Sequence, residues 1–194
     1  GMMEKAACAL LAGMPVVTKP ATSTALVAYR IAEIAIESGL LPEGSFTFIG
    51  GNPGDMLDHV DWQDVIAFTG SSDTGLMIRS RENILKHNVR VNVEADSLNA
   101  AVLGPDLGTE DETYDLFLRE VSKDMTQKAG QKCTAIRRIL VPDSMMDAVK
   151  EDLSRELSGA PVGNPAEKGV KVGPLATARQ VKDACAGLER LKEV

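Results

Sequence analysis

The chain alternates between two hydrophobic periods. Five short runs rich in β-branched or aromatic residues read as strands: 15–20 (PVVTKP), 45–51 (SFTFIGG), 64–70 (DVIAFTG), 88–95 (NVRVNVEA) and 99–104 (NAAVLG). Segments of helical period separate them. Residues 22–39 predict a helix with Leu26, Ile31, Ile34 and Ala35 on one face, capping candidates at Thr22 to Thr24 and Gly39 as its stop. Residues 53–60 predict a short helix, and 71–86 a longer single one. Strands alternating with helices of this length predict an α/β fold built on a doubly wound, mostly parallel sheet with right-handed crossovers.

Beyond Gly108 the pattern changes. A long amphipathic helix is predicted over 110–130, a strand over 137–143, a helix over 144–157 capped by Asp143 or Ser144, and a last helix from Thr177 onward. The Gly- and Pro-rich stretch 160–174 reads as loop. This shift, near Ser97 to Pro105, predicts two parts: residues 2–97 as a partial Rossmann-like domain and residues 98–194 as a partial, thiol-bearing α/β domain.

Composition narrows the function classes. Hydrophobic residues make up 44% of the chain, enough for one substantial core or two small ones. Acidic residues outnumber basic ones, 28 to 21, and the Lys and Arg are scattered, which argues against a nucleic-acid groove. No apolar run approaches the roughly 18 residues that cross a bilayer, so no membrane partner and a cytoplasmic address are expected. Gly1 before Met2 reads as a tag remnant. The cysteines Cys8, Cys133 and Cys185 form no CxxC pair, and His59 and His87 are the only histidines, so neither a disulfide framework nor a metal site is indicated.

Four places can carry chemistry. In IAFTGSSDTG a strand runs into a small-residue turn that opens a helix, where free backbone N–H groups and the helix dipole favour a phosphate. Gly70 allows close approach and Ser71 offers a hydroxyl, although any αβ unit needs such a turn. Lys19 ends the first strand, on the side of the sheet where open α/β folds bind ligands. Glu94 follows three alternating valines at a strand end. It is either a solvated carboxylate or, at the mouth of a cleft, a general base, since burial raises a carboxyl's pKa from about 4.3 towards neutrality. Cys133 is either a small buried hydrophobe or a nucleophile. A thiol with the ordinary pKa of about 8.5 needs positive neighbours or donated hydrogen bonds to act, and Lys128, Lys132, Arg137 and Arg138 surround this one. Cys8 and Cys185 lie in Ala-rich helical runs and read as small core residues.

Taken in order, Lys19-Pro20-Ala21, Phe68-Thr69-Gly70-Ser71 with Gly75, Glu94, and Gly130-Gln131-Lys132-Cys133 resemble the signature elements of the aldehyde dehydrogenase superfamily. Within it, VEADSLNAAVLG and TQKAGQKCTAIRRILVP look most like the semialdehyde dehydrogenase domain of the bifunctional ring-cleavage enzymes of phenylacetate breakdown, and like the related semialdehyde dehydrogenases of the benzoyl-CoA epoxide route. The likeness runs from about Met14 to about Pro174. It implies that Cys133 attacks an aldehyde to give a thiohemiacetal and then a thioester, and that Glu94 activates the water that hydrolyses it. It also implies that Lys19, Thr22, Gly51, Thr69, Gly70 and Ser71 bind the cofactor. NAD-preferring relatives commonly carry a glutamate where this chain has Thr22, and a threonine beside Lys19 removes that repulsion of a 2′-phosphate, so NADP is expected over NAD.

Two departures narrow the match. Ala95-Asp96-Ser97 replaces the usual Leu-Gly-Gly after the base, and the step from Glu94 to Cys133, 133 − 94 = 39 residues, is longer than in most of the superfamily. The chain is also short for the family, which implies a fragment lacking one oxyanion-hole asparagine and the glutamate that holds the nicotinamide ribose. The expected substrate is a small aldehyde, CoA-linked in the nearest subgroup, and open sheet edges predict a homo-oligomer. The competing expectation is a nucleotide-binding or assembly module without turnover of its own.

Overall fold

The computed structural model describes residues 1–193. The chain divides into two compact units, Gly1–Asp96 and Ser97–Val194. Three parallel strand pairs organise it, each a β-α-β unit, so the fold class is the α/β one expected.

The first unit holds helix α1 (Met2–Leu11), then β1 (Val16–Thr18), α2 (Ala25–Glu37) and β2 (Phe46–Phe48), with β1 and β2 pairing in parallel. Their small core gathers Ala6, Ala32 and Phe46, with Val16 and Phe48 packed against it. The helical face expected to be apolar is turned outward. Leu26 is 84% and Ile34 54% exposed, and the residue α2 buries is Ala32, in the small core with Ala6 and Phe46.

The second pair is longer. Strand β3 (Val65–Gly70) and strand β4 (Arg90–Ala95) run parallel in the register Val65↔Arg90 to Gly70↔Ala95. Alternation puts Ile66 and Phe68 of β3 and Val91 of β4 on one face, against Ile78, Ile84 and Val89. The helix expected over 71–86 is two: α3 (Ser72–Arg79) and α4 (Glu82–Lys86). Ser80 explains the break, since its hydroxyl turns back to the Leu76 carbonyl at 2.8 Å while Arg81 becomes extended and pairs with Asp58. Helix α3 lies close on β4. A methyl added at the buried Gly75 would fall 2.6 Å from Val93 Cγ1, so the approach requires glycine there. The short helix expected over 53–60 is a single 3-10 turn, Met56–Asp58.

The second unit pairs β5 (Ala100–Val102) with β6 (Arg138–Leu140) through α5 (Glu112–Thr126). Helices α6 (Met146–Ser158) and α7 (Ala178–Lys192) follow. Its core packs Tyr114, Leu118 and Val121 of α5 against Met145, Val149 and Leu153, with Leu103 beneath. The Gly- and Pro-rich loop is closed by a parallel bridge between Val162 and Val172. Neither Asp143 nor Ser144 caps α6; the chain enters through a 3-10 turn, Asp143–Met145, and the N-cap is Met145. Helix α5 stops at Thr126, short of the expected 130. Lys128, Ala129 and Gly130 all take positive φ, 53°, 54° and 71°, which reverses the chain just ahead of the cysteine.

No helix among the described residues is long and apolar enough to cross a membrane. Nor do any three or more His, Cys, Asp or Glu among them gather as a metal site.

Candidate functional site

Each unit carries its own group of candidate residues. In the first, the parallel register sets Thr69 beside Glu94 at the C-terminal ends of β3 and β4. The Thr69 hydroxyl donates to Glu94 Oε2 at 3.3 Å, and the ammonium of Lys5 on α1 lies 3.6 Å from the same oxygen. The Glu94 side chain is 60% exposed, so it is a solvated carboxylate with one cationic and one hydroxyl partner. Sequence reasoning missed Lys5. Nothing in a short Ala-rich helix marks which face meets a strand end ninety residues on.

Lys19 follows β1 directly, and Thr22 opens the 3-10 turn Thr22–Thr24 ahead of α2. Both are exposed, and Lys19 forms no ion pair among the described residues. Gly51 lies beyond β2 at φ 92°. Gly70 ends β3 and Ser71 is the N-cap of α3, its hydroxyl accepting from Thr74 N at 3.3 Å. The start of α3 is not vacant backbone, however. Asp96 Oδ2 accepts the Ser72 N–H at 3.2 Å, so an anion drawn to this helix start meets a carboxylate already there.

In the second unit Cys133 lies between the positive-φ turn and β6, and it is exposed. It is not a core residue. Cys8 on α1 and Cys185 on α7 are exposed too, which corrects the reading of both as buried; they sit on the outward faces of their helices. The Cys133 carbonyl accepts from Asn99 Nδ2 at 2.7 Å and from the Ser97 hydroxyl. Its backbone N–H has no acceptor among the described residues.

Two of the surrounding basic residues are committed elsewhere. Lys132 pairs with Asp124 of α5 and reaches Gln127 Oε1 at 2.9 Å. Arg137 donates to the carbonyls of Gly130 at 3.1 Å and Lys132 at 3.2 Å. These cations thus brace the loop. Asp124 also accepts the Ile136 N–H at 2.7 Å, and the Lys132 ammonium, with that N–H second, holds its carboxyl below the usual carboxylate range. Gln131 ties the turn to the segment before α7, accepting from Ala176 N at 2.8 Å. An open groove of about 620 Å³ passes Asn99, Phe117, Asp124 and Thr134 but does not include Cys133.

The chain is thus a parallel α/β one with a cysteine exposed on a braced turn and a glutamate at a strand end. The chain matches the aldehyde dehydrogenase family over residues 1–194 and belongs to it. Among its relatives, the 3,4-dehydroadipyl-CoA semialdehyde dehydrogenase of Aromatoleum evansii is 47% identical over 193 residues, covering 100% of this chain. This chain spans 38% of that relative's length. The crystal structure of gamma-glutamyl-gamma-aminobutyraldehyde dehydrogenase from Burkholderia cenocepacia superposes with a TM-score of 0.81 at 30% identity, covering 93% of this chain and 36% of that one. An indole-3-acetaldehyde dehydrogenase variant of P. syringae, in complex with NAD+, gives 0.79 at 26% identity over the same shares.

Proposed function

We propose that this chain carries the cofactor-side and thiol-side residues of an NADP-dependent dehydrogenase that oxidises a CoA-linked semialdehyde to the acid. The observation that carries this reading is the 47% identity, over the whole chain, to a relative described as acting on such a substrate. In this reading residues 2–97 serve the cofactor and residues 98–194 bear the nucleophile. The protein works in the cytoplasm, in aromatic-acid breakdown, as an oligomer of identical chains.

Cys133 Sγ attacks the aldehyde carbon to form a thiohemiacetal, whose oxyanion is met by the free N–H of Cys133. A bound nicotinamide supplies the hydride acceptor that leaves a thioester on the sulfur. Glu94, which faces the Lys5 ammonium and accepts from the Thr69 hydroxyl, takes a proton from the water that attacks the thioester, and the thiolate departs. Lys19 and Thr22 hold the phosphorylated ribose, supported by Gly51, Thr69, Gly70 and Ser71.

Because all three cysteines are exposed, their alkylation rates compare chemistry rather than access. Iodoacetamide should label Cys133 faster than Cys8 or Cys185, as read by peptide mass spectrometry; equal labelling would remove Cys133 as the nucleophile. Titration should show tighter binding of NADP than NAD. Binding with no NADPH formed from any aldehyde would describe the chain as a nucleotide-binding module alone.

A further inference from the structure

We propose that Arg137 is a positioning residue for Cys133, gripping the carbonyl of Lys132 so that the N–H of Cys133, in the same peptide, is kept in one direction to meet an oxyanion. This rests on the reading of Cys133 as the nucleophile. Arg137 Nη2 donates to the carbonyls of Lys132 at 3.2 Å and Gly130 at 3.1 Å. The Ala135 N–H donates to the same Lys132 carbonyl at 3.2 Å, closing a turn over 132–135 whose last residue is fully buried. The grip has a fixed base. Arg137 directly precedes β6, and its own N–H donates at 2.8 Å to the carbonyl of Asn99, the residue before β5.

The Lys132 carbonyl and the Cys133 N–H belong to one rigid trans peptide, in which they point to opposite sides of the chain. Holding the carbonyl therefore sets the direction of the N–H. Residues 131–137 belong to no helix or strand, so no ladder does this instead. The backbone turn supplies one donor to that oxygen, and the guanidinium takes its second lone pair. On the opposite side the Cys133 N–H has no acceptor among the described residues, which leaves it for the oxygen of a carbonyl under attack. A preorganised donor of this kind speeds attack on a carbonyl, where an oxyanion forms, and does nothing for displacement at a saturated carbon, where none forms. The positive charge of Arg137 acts otherwise: it favours the thiolate, and so moves both reactions along the pH axis together.

The experiment separates the two. The intact chain is treated in parallel with p-nitrophenyl acetate and with iodoacetamide, and modification at each cysteine is followed by peptide mass spectrometry. Each rate is measured across pH up to its plateau, where the thiol is fully ionised and charge effects on its ionisation drop out. In the ester reaction the Cys133 thiolate bonds to the acetyl carbon, the carbon–oxygen bond to p-nitrophenolate breaks, and the thiol proton passes to water, with no change of oxidation state. Arg137→Ala should lower the acylation plateau of Cys133 about fivefold, short of the roughly hundredfold cost of losing an oxyanion donor outright, and alter its alkylation plateau by less than about twofold. Cys8 and Cys185 should be unaffected. Arg137→Met keeps most of the stem and removes the same donors, so it should lower the acylation plateau as much, and it carries the test if Arg137→Ala fails to fold. Equal effects on both plateaus, or none on acylation, would overturn the positioning role. Should wild-type Cys133 acylate no faster than Cys8 and Cys185, the nucleophile reading fails separately, while the variant-to-wild-type ratio still reports on Arg137.

Discussion

Replacing Asp124 should loosen the cysteine loop without touching the cysteine. Its carboxylate joins α5 to the loop twice, through the Lys132 ammonium and the Ile136 N–H. Charge-assisted hydrogen bonds contribute about 1.5–3 kcal/mol each, and a donor left without its acceptor costs about 1–3 kcal/mol. Two observations reduce the total. Asp124 is 26% exposed, so water screens it, and Gln127 Oε1 still serves the ammonium at 2.9 Å. Asp124→Ala is therefore expected to destabilise the loop by about 2 kcal/mol, and Asp124→Asn, which keeps one acceptor oxygen, by about half as much. Two kcal/mol is about a thirtyfold rise in local opening. Amide hydrogen exchange over residues 131–138 should quicken by that factor in Asp124→Ala while α6 keeps its protection. Unchanged exchange there, with α5 intact, would refute the two-bond strap. The effect also has a pH signature. The folded-state pKa of Asp124 is lowered below its unfolded value of about 3.9, so the stabilisation is complete above that value and is lost as pH falls through the lowered folded value. The wild-type loop should therefore open at acid pH, and Asp124→Asn should not show that acid step.

Three further outcomes follow from single contacts. Gly75→Ala places a methyl 2.6 Å from Val93 Cγ1, on a stiff β-branched side chain; crowding of about 1–3 kcal/mol outweighs a helix-propensity gain of about 1 kcal/mol, and urea unfolding should show a net loss. Greater stability would mean that α3 does not sit that close to β4. Tyr114→Phe removes the buried hydroxyl that donates to Asp152 Oδ2 at 2.8 Å and should lower the thermal midpoint by about 2–4 °C, an unchanged midpoint meaning that the bond contributes nothing. Burial pushes that phenol's pKa up, so the loss should be the same from neutral pH to mildly alkaline pH. Thr22→Glu should weaken NADP binding at least about tenfold and leave NAD binding the tighter of the two; calorimetric titration showing no change in preference would remove Thr22 from the cofactor site.

Much of the fold was legible because it is local. Val91 and Val93 alternate with polar neighbours, so β4 and its buried face could be read directly, and small-residue turns marked where strands pass into helices. Helix ends were less legible. The break at Ser80 depends on a hydroxyl choosing the Leu76 carbonyl, and the stop at Thr126 on two residues other than glycine accepting positive φ, neither of which periodicity registers. The exposed apolar face of α2 was missed for another reason: amphipathicity says that a face is apolar, not what covers it.

The candidate site divides along the same line. By itself the sequence determined the parallel α/β class, the order Lys19, Gly70, Glu94, Cys133 and the resemblance that family membership confirms, because residue type and spacing along the chain are enough for those. Only the tertiary structure decided that Cys133 is exposed, that Lys5 lies beside Glu94, that Asp96 occupies the start of α3, and that Lys132 and Arg137 brace the turn. A charge seen in sequence has no partner until the chain folds. Lys132 stands next to Cys133 in the chain, yet its ammonium is held by a carboxylate eight residues back, because α5 brings Asp124 within reach.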